Sequence, residues 1–149
     1  MTSSTISTIP AVKAQLKTIL AAAVEEPTEV WRNRPNVEHQ VAENVYIGDA
    51  RGSDQWVQIG KQSAQSREET YTIDLTVEVY RQGTAGEEAE ARMWVIVGKL
   101  EEALLSDVTI AELAGVQWSS LSAVNQTCEG FTDGWLCRAA FQLMVVARI

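Results

Sequence analysis

The chain has 149 residues, 46% of them hydrophobic, with 12 basic against 20 acidic residues for a formal charge of −8. That size and apolar content suit one folded domain that removes roughly 68–70% of its unfolded surface from water, and they exclude global disorder. The acidic balance, with no cluster of five or more basic residues, argues against a dedicated grip on nucleic-acid backbone, because such a grip depends on Lys and Arg displacing counterions. A protein of this charge can still surround DNA without holding it, since repulsion keeps a passage from becoming sticky.

Residues 1–7 are small and polar and read as a mobile arm, ahead of a single α+β domain over 8–149. No basic leader runs into an unbroken apolar stretch, and Lys13 and Lys17 interrupt the early apolar residues, so no secretory signal is expected. No segment approaches the ~20 apolar residues that span a bilayer. The expected place of synthesis is the cytosol, with no membrane partner.

Thr8 can cap a first helix with Pro10 in its first turn. Ile9, Val12, Leu16, Ile19, Leu20 and Ala23 then recur at spacings of three and four, the apolar face of an amphipathic helix that ends near Glu26–Pro27. Three short extended segments follow, over 29–32, 44–48 and 55–60. The polar, Gly-bearing stretch Gly48–Asp54 reads as a hairpin loop between the last two, and 34–42 around Pro35 reads as an exposed loop.

Tyr71, Ile73, Leu75, Val77 and Val79 alternate with polar neighbours and predict a long strand with one core face and one face that is wet or meets a partner. At 82–87 the period changes to about 3.6, where Thr84 and Glu87 fit a capping box. Ala89, Met93, Ile96, Val97, Leu100 and Leu104 form the stripe of a second helix, and Glu87, Glu88 and Glu90 suit the positive end of its dipole. Gly98 inside that helix costs about 1 kcal/mol relative to alanine, which is either tolerated or repaid by close packing.

After a turn over 107–115, residues 116–125 read as a strand with a bulge near Ser119 and Ser120. A turn at 132–134 leads to a last strand over 135–148. There Cys137, Ala139, Phe141, Leu143 and Val145 point one way, yet Ala140, Met144 and Val146 make the other face apolar too. Such a strand is sandwiched within its own domain or buried against a neighbouring subunit. The expected fold class is α+β: an antiparallel or mixed sheet of about five to six strands with two main helices packed on one face.

Chemistry is sparse. His39 is the sole histidine, no Gly-x-Ser-x-Gly elbow occurs, and neither phosphate-cradling glycine motif is present. Asp49 with Asp54, and Glu87, Glu88 with Glu90, could pair as acid and base, but they read more simply as a solvated loop and a helix start. Cys128 and Cys137 could bridge if their strands pair in register; in a reducing cytosol two buried free thiols are expected. The expectation is therefore no catalytic residue, no cofactor, no metal and no enzyme activity. Of five tryptophans, Trp94 and Trp135 read as core or core edge, whereas Trp31, Trp56 and Trp118 have polar neighbours and are interface candidates. Asp49, Arg51 and Asp54 on the polar stretch, with Met144 and Val146 on the last strand, complete the set of candidate interface residues.

This layout resembles the tail-terminator (tail completion, minor tail) proteins of long-tailed bacteriophages. The likeness is carried by the opening helix over 9–24, the strand Thr70-Tyr71-Thr72-Ile73-Asp74-Leu75-Thr76-Val77-Glu78-Val79-Tyr80, the acidic helix start Gly86-Glu87-Glu88-Ala89-Glu90-Ala91-Arg92, and the closing Val145-Val146-Ala147-Arg148-Ile149. It implies a virion protein assembled in the bacterial host cytoplasm, a homo-oligomer forming a hexameric ring on the tail tube protein and meeting a head–tail connector or stopper, with DNA passing through unbound. The alternatives are a neck or head–tail connector subunit and, from a different class, a small ligand-binding or enzymatic domain.

Overall fold

The computed structural model describes residues 7–25, 28–32, 43–58, 65–83, 86–110, 112–113, 115–131 and 134–148, the side chains of 53–58, 65–67, 123 and 124 excepted. In chain order the elements are α1 (Ile9–Ala23), β1 (Glu29–Arg32), β2 (Glu43–Gln58), β3 (Gln65–Gln82), α2 (Gly86–Leu105), β4 (Val116–Phe131) and β5 (Gly134–Arg148). The strands form one five-stranded sheet in the order β1-β2-β3-β5-β4. Only β1 runs parallel to its neighbour, so the sheet is mixed and the α+β expectation holds.

The alternation in β3 places Tyr71, Ile73, Leu75, Val77 and Val79 on one face, all buried. β3 pairs with β5 without a slip from Glu68↔Arg148 to Gln82↔Gly134, which sets Leu75 beside Phe141 and Ile73 beside Leu143. The buried stripe of α2, from Ala89 through Met93, Ile96 and Leu100 to Leu104, covers this surface. Val12, Leu16 and Leu20 of α1 join the same core, together with Val45 and Ile47 of β2. Both helices thus lie on one face, because each has a single apolar stripe and the sheet offers a single strongly apolar side.

The stretch expected to be a hairpin loop, Gly48–Asp54, instead belongs to one continuous strand. β2 pairs with β3 along Glu43–Gln58, with a register shift between Ile47 and Ala50. Backbone pairing with the long β3 satisfies its peptide groups, so polar side chains and glycines do not make a turn. A Cβ at Gly52 would run into the Thr70 carbonyl and Tyr71; this glycine marks close backbone approach. β4 likewise runs on to Phe131, and its shifts fall between Val116 and Trp118 and between Ser122 and Asn125, flanking the expected Ser119–Ser120 position. The expected loop over 34–42, Thr84 of the expected capping box, and residues 1–6 of the expected arm lie outside the described residues.

Thr8 holds the N-cap position of α1 without a side-chain cap bond. Its hydroxyl and its backbone N–H both donate to Glu69 Oε1 at 2.8 Å, and the hydroxyl also lies 2.8 Å from Tyr71 Oη. The buried Glu69 carboxylate of β3 therefore caps α1 from the sheet, at the positive end of the helix dipole. Burial, partly offset by the Thr8 hydrogen bond and reinforced by the Glu69 charge, pushes the Tyr71 phenol up to about 12.

A second buried carboxylate joins three elements. Glu43, at the start of β2, accepts from Arg81 Nη2 at 2.6 Å, from Arg92 Nε at 3.0 Å and from Thr28 Oγ1 at 2.7 Å. Burial alone would raise its pKa, but the hydrogen bonds from Arg92, Arg81 and Thr28 and the Arg92 charge outweigh that and bring it down to about 2.

Cys128 and Cys137 are directly opposed in the β4/β5 register and joined as a disulfide, which corrects the expectation of free thiols. The hairpin brings them to a Cα separation of 4.1 Å, and register rather than compartment settles the pairing. After α2, Ile110 and Glu112 both take positive φ of 55°. A β-branched residue pays for that conformation, and full burial of the Ile110 side chain offsets the cost.

Two outcomes follow from these contacts. Because the folded pKa of Glu43 lies below its unfolded value of 4.5, its contribution is complete above about pH 4.5 and is lost as pH falls towards 2. Glu43→Gln should therefore lower stability at pH 7 by roughly 2–3 kcal/mol and flatten the acid limb of a urea-midpoint-versus-pH curve; an unchanged limb would remove this carboxylate as its source. Closing a loop as short as the nine-residue separation of the two cysteines stabilises by about 2–3 kcal/mol in the chain-entropy account. Cys128→Ser with Cys137→Ser should lower the unfolding free energy measured by urea titration by that amount relative to the oxidised protein and leave it nearly equal to that of the reduced protein.

Candidate functional site

One sheet face lies under α1 and α2, and no described element lies over the other. On that second face the side chains of β3 and β5 pair across the strands. Glu78 accepts from Arg138 Nε at 2.7 Å, Asp74 accepts from Gln142 Nε2 at 3.3 Å, and Glu68 accepts from Arg148 Nη2 at 3.3 Å. These register partners give the β3 side of the face a polar, self-satisfied surface.

Towards β4 the character changes. Trp118 stands opposite Val146, and Ser120 stands opposite Met144. Met144 and Val146 are half-buried, and Trp118 is 41% exposed. Together they form a short apolar patch at the end of β5, bounded on one side by the polar ladder of β3 and separated from Ala140 by Gln142. The structure thus brings three of the sequence-selected residues, Trp118, Met144 and Val146, into one patch.

Arg51 sits at the far end of the Met144 row. Thr72 pairs with Arg51 on one side and with Met144 on the other, so the two flanking strands lie about 9–10 Å apart across β3. Its guanidinium donates to Asp74 Oδ2 at 2.6 Å. The hydrogen bond to Asp74, then the charge of Asp74, and to a lesser degree that of Asp49, raise its pKa above the usual arginine value. Asp49 is exposed at the β2 bulge. Trp31 lies apart on β1, half-buried, with its indole N–H donating to Asn44 Oδ1 at 2.9 Å. Asp54 and Trp56 lie on β2, and their side chains are outside the described residues.

Trp135 does lie at the core edge, half-buried, with its indole 3.0 Å from where a Cβ of Gly86 would be and 3.2 Å from that of Gly130. Trp94 does not. It is 41% exposed on the outer side of α2, next to exposed Val95 and on the same arc as exposed Leu105 at the helix end. Sequence reasoning missed this second apolar surface because it followed the stripe that recurs at core spacing. The missed signal was the set Ala91, Trp94, Val95, Gly98 and Leu105 on the opposite arc.

Among the described residues no three His, Cys, Asp or Glu side chains gather as a metal site, and no helix is long and apolar enough to cross a membrane. The buried charged cluster around Glu43 is a structural junction with its carboxylate engaged on both oxygens.

The sequence matches no protein-family profile and no curated protein. Among solved structures the chain is similar to one described as "Virion of native gene transfer agent (GTA) particle", with a TM-score of 0.45 and 17% identity over 91% of this chain and 92% of that chain.

Proposed function

We propose that this chain is a structural virion protein of phage type, a tail terminator whose copies form a ring on the end of the tail tube, stop its growth and join it to the head-side connector. The observation that carries the reading is the second sheet face, where exposed Trp118 and half-buried Met144 and Val146 make an apolar patch beside an ion-paired surface. Layout supports it as well: the order of helix, long alternating strand, acidic helix start and closing apolar strand resembles that of tail-terminator proteins.

The mechanism is steric and cooperative. Ring closure needs each copy to present two different complementary patches related by the ring's rotation. The apolar patch on β5 is of the kind that is buried at the centre of interfaces, and the paired charges around it fix orientation more than affinity. A formal charge of −8 suits a lumen through which DNA moves without being held.

Val146→Asp tests the reading. It puts a charge in the middle of the patch while leaving the buried face of β5 untouched, so the monomer should keep its thermal midpoint within a few degrees. Light scattering and electron microscopy with purified tail tubes should then show loss of the ring-sized species and uncapped, overlong tubes. Ring assembly at wild-type level in Val146→Asp would sink the assignment of this face.

A further inference from the structure

The outer surface of the helix layer carries a second pair of features that the sheet face does not explain. On α2, Gly98 sits mid-helix and exposed, and a Cβ built there meets nothing within 4 Å. Packing of α2 on its own sheet therefore does not require glycine at this position. One turn before it stand Trp94 and Val95, exposed by 41% and 48%, and Leu105, exposed by 64%, lies about two turns further on along the same arc. Glycine flanked by large apolar side chains makes a notch into which another helix can settle at close range. The acidic residues next to the notch are Glu101, half-buried, and Glu102, exposed, one turn on from Gly98, with Glu90 exposed about two turns before it; Lys99, half-buried, stands beside them. A second α2 would bring like charges together, which disfavours α2 pairing with itself.

α1 has the complementary character. Its outward positions Ala11, Ala14, Thr18, Ala21 and Ala22 are exposed and small, and Lys13 and Lys17 flank them on one side. Small residues meet large ones, and lysines meet glutamates. We propose that the α1 outer face of one copy docks on the Gly98 notch of α2 of a second copy, a contact between two different patches of the same chain. It rests on the reading of this protein as a self-assembling subunit, and it uses a surface distinct from the β5 patch. Both patches lie on the helix layer, so a two-fold axis engages both at once in a dimer, whereas one contact per copy gives a ring or filament.

The test is association of the purified chain, read by sedimentation and light scattering across concentration. Gly98→Gln places a side chain in open space, so its thermal midpoint should equal or exceed that of wild type, while association weakens by at least about tenfold. Lys13→Glu with Lys17→Glu should weaken it too, and adding Glu101→Lys with Glu102→Lys should restore it. Wild-type association in Gly98→Gln, or no rescue by the reversed charges, overturns the contact. Val146→Asp separates the two interfaces: association lost there but retained in Gly98→Gln keeps the sheet-face reading and removes this one. A wild-type chain that stays monomeric at every concentration also overturns it, and leaves the acidic notch to a basic partner protein.

Discussion

The unslipped antiparallel pairing of β3 with β5 is the constraint on which the rest of the molecule depends. Side chains of a strand alternate faces with a period of two, so a shift of one residue would turn Ile73, Leu75, Phe141 and Leu143 out of the core and turn Thr72, Asp74, Gln142 and Met144 into it. The register is over-determined on both sides. Apolar neighbours meet beneath the helices, and on the other face the Glu78–Arg138 and Glu68–Arg148 ion pairs join register partners. These partly exposed pairs contribute little to stability; their value lies in making the wrong register worse.

Two buried carboxylates then position the helices on this platform. Glu69 meets the start of α1, and Glu43 gathers Arg92 of α2, Arg81 of β3 and Thr28. Burying a charge is costly unless it is paired and hydrogen-bonded; Glu43 has donors from several directions, and Glu69 takes both the N–H and the hydroxyl of Thr8. The arrangement specifies how the helices sit more than it adds to stability: a helix shifted along the sheet would leave a buried carboxylate without its donors. The Cys128–Cys137 link pins the β4/β5 hairpin in the same register that the core demands.

With the core closed in this way, two surfaces keep apolar side chains in solvent. The β5 patch belongs to the ion-paired side of the sheet, and the Gly98 notch belongs to the helix layer. They differ in the charged residues around them, which suits a protein that meets more than one neighbour. A cyclic ring of three or more copies needs two different patches on each, whereas a two-fold dimer can close with one.

The sequence by itself determined the elements whose pattern is periodic over many residues. α2, β3, β5 and the buried stripe of α1 are legible because alternation or a 3.6-residue repeat persists long enough to outweigh local exceptions, and the same patterning disclosed Met144 and Val146 as a second apolar face. What only the tertiary structure decided were features set by pairing across distance. Gly48–Asp54 carries the composition of a turn yet lies in β2, because β3 supplies partners for its backbone. The thiols bond because a hairpin register opposes them. Trp94 faces outward because the sheet lies under the other arc of α2. Glu43 and Glu69, ordinary acidic residues in the sequence, become buried anchors because their cationic and hydroxyl partners arrive from up to 61 residues away. Local composition states what a segment prefers, and only the fold states which preferences are satisfied.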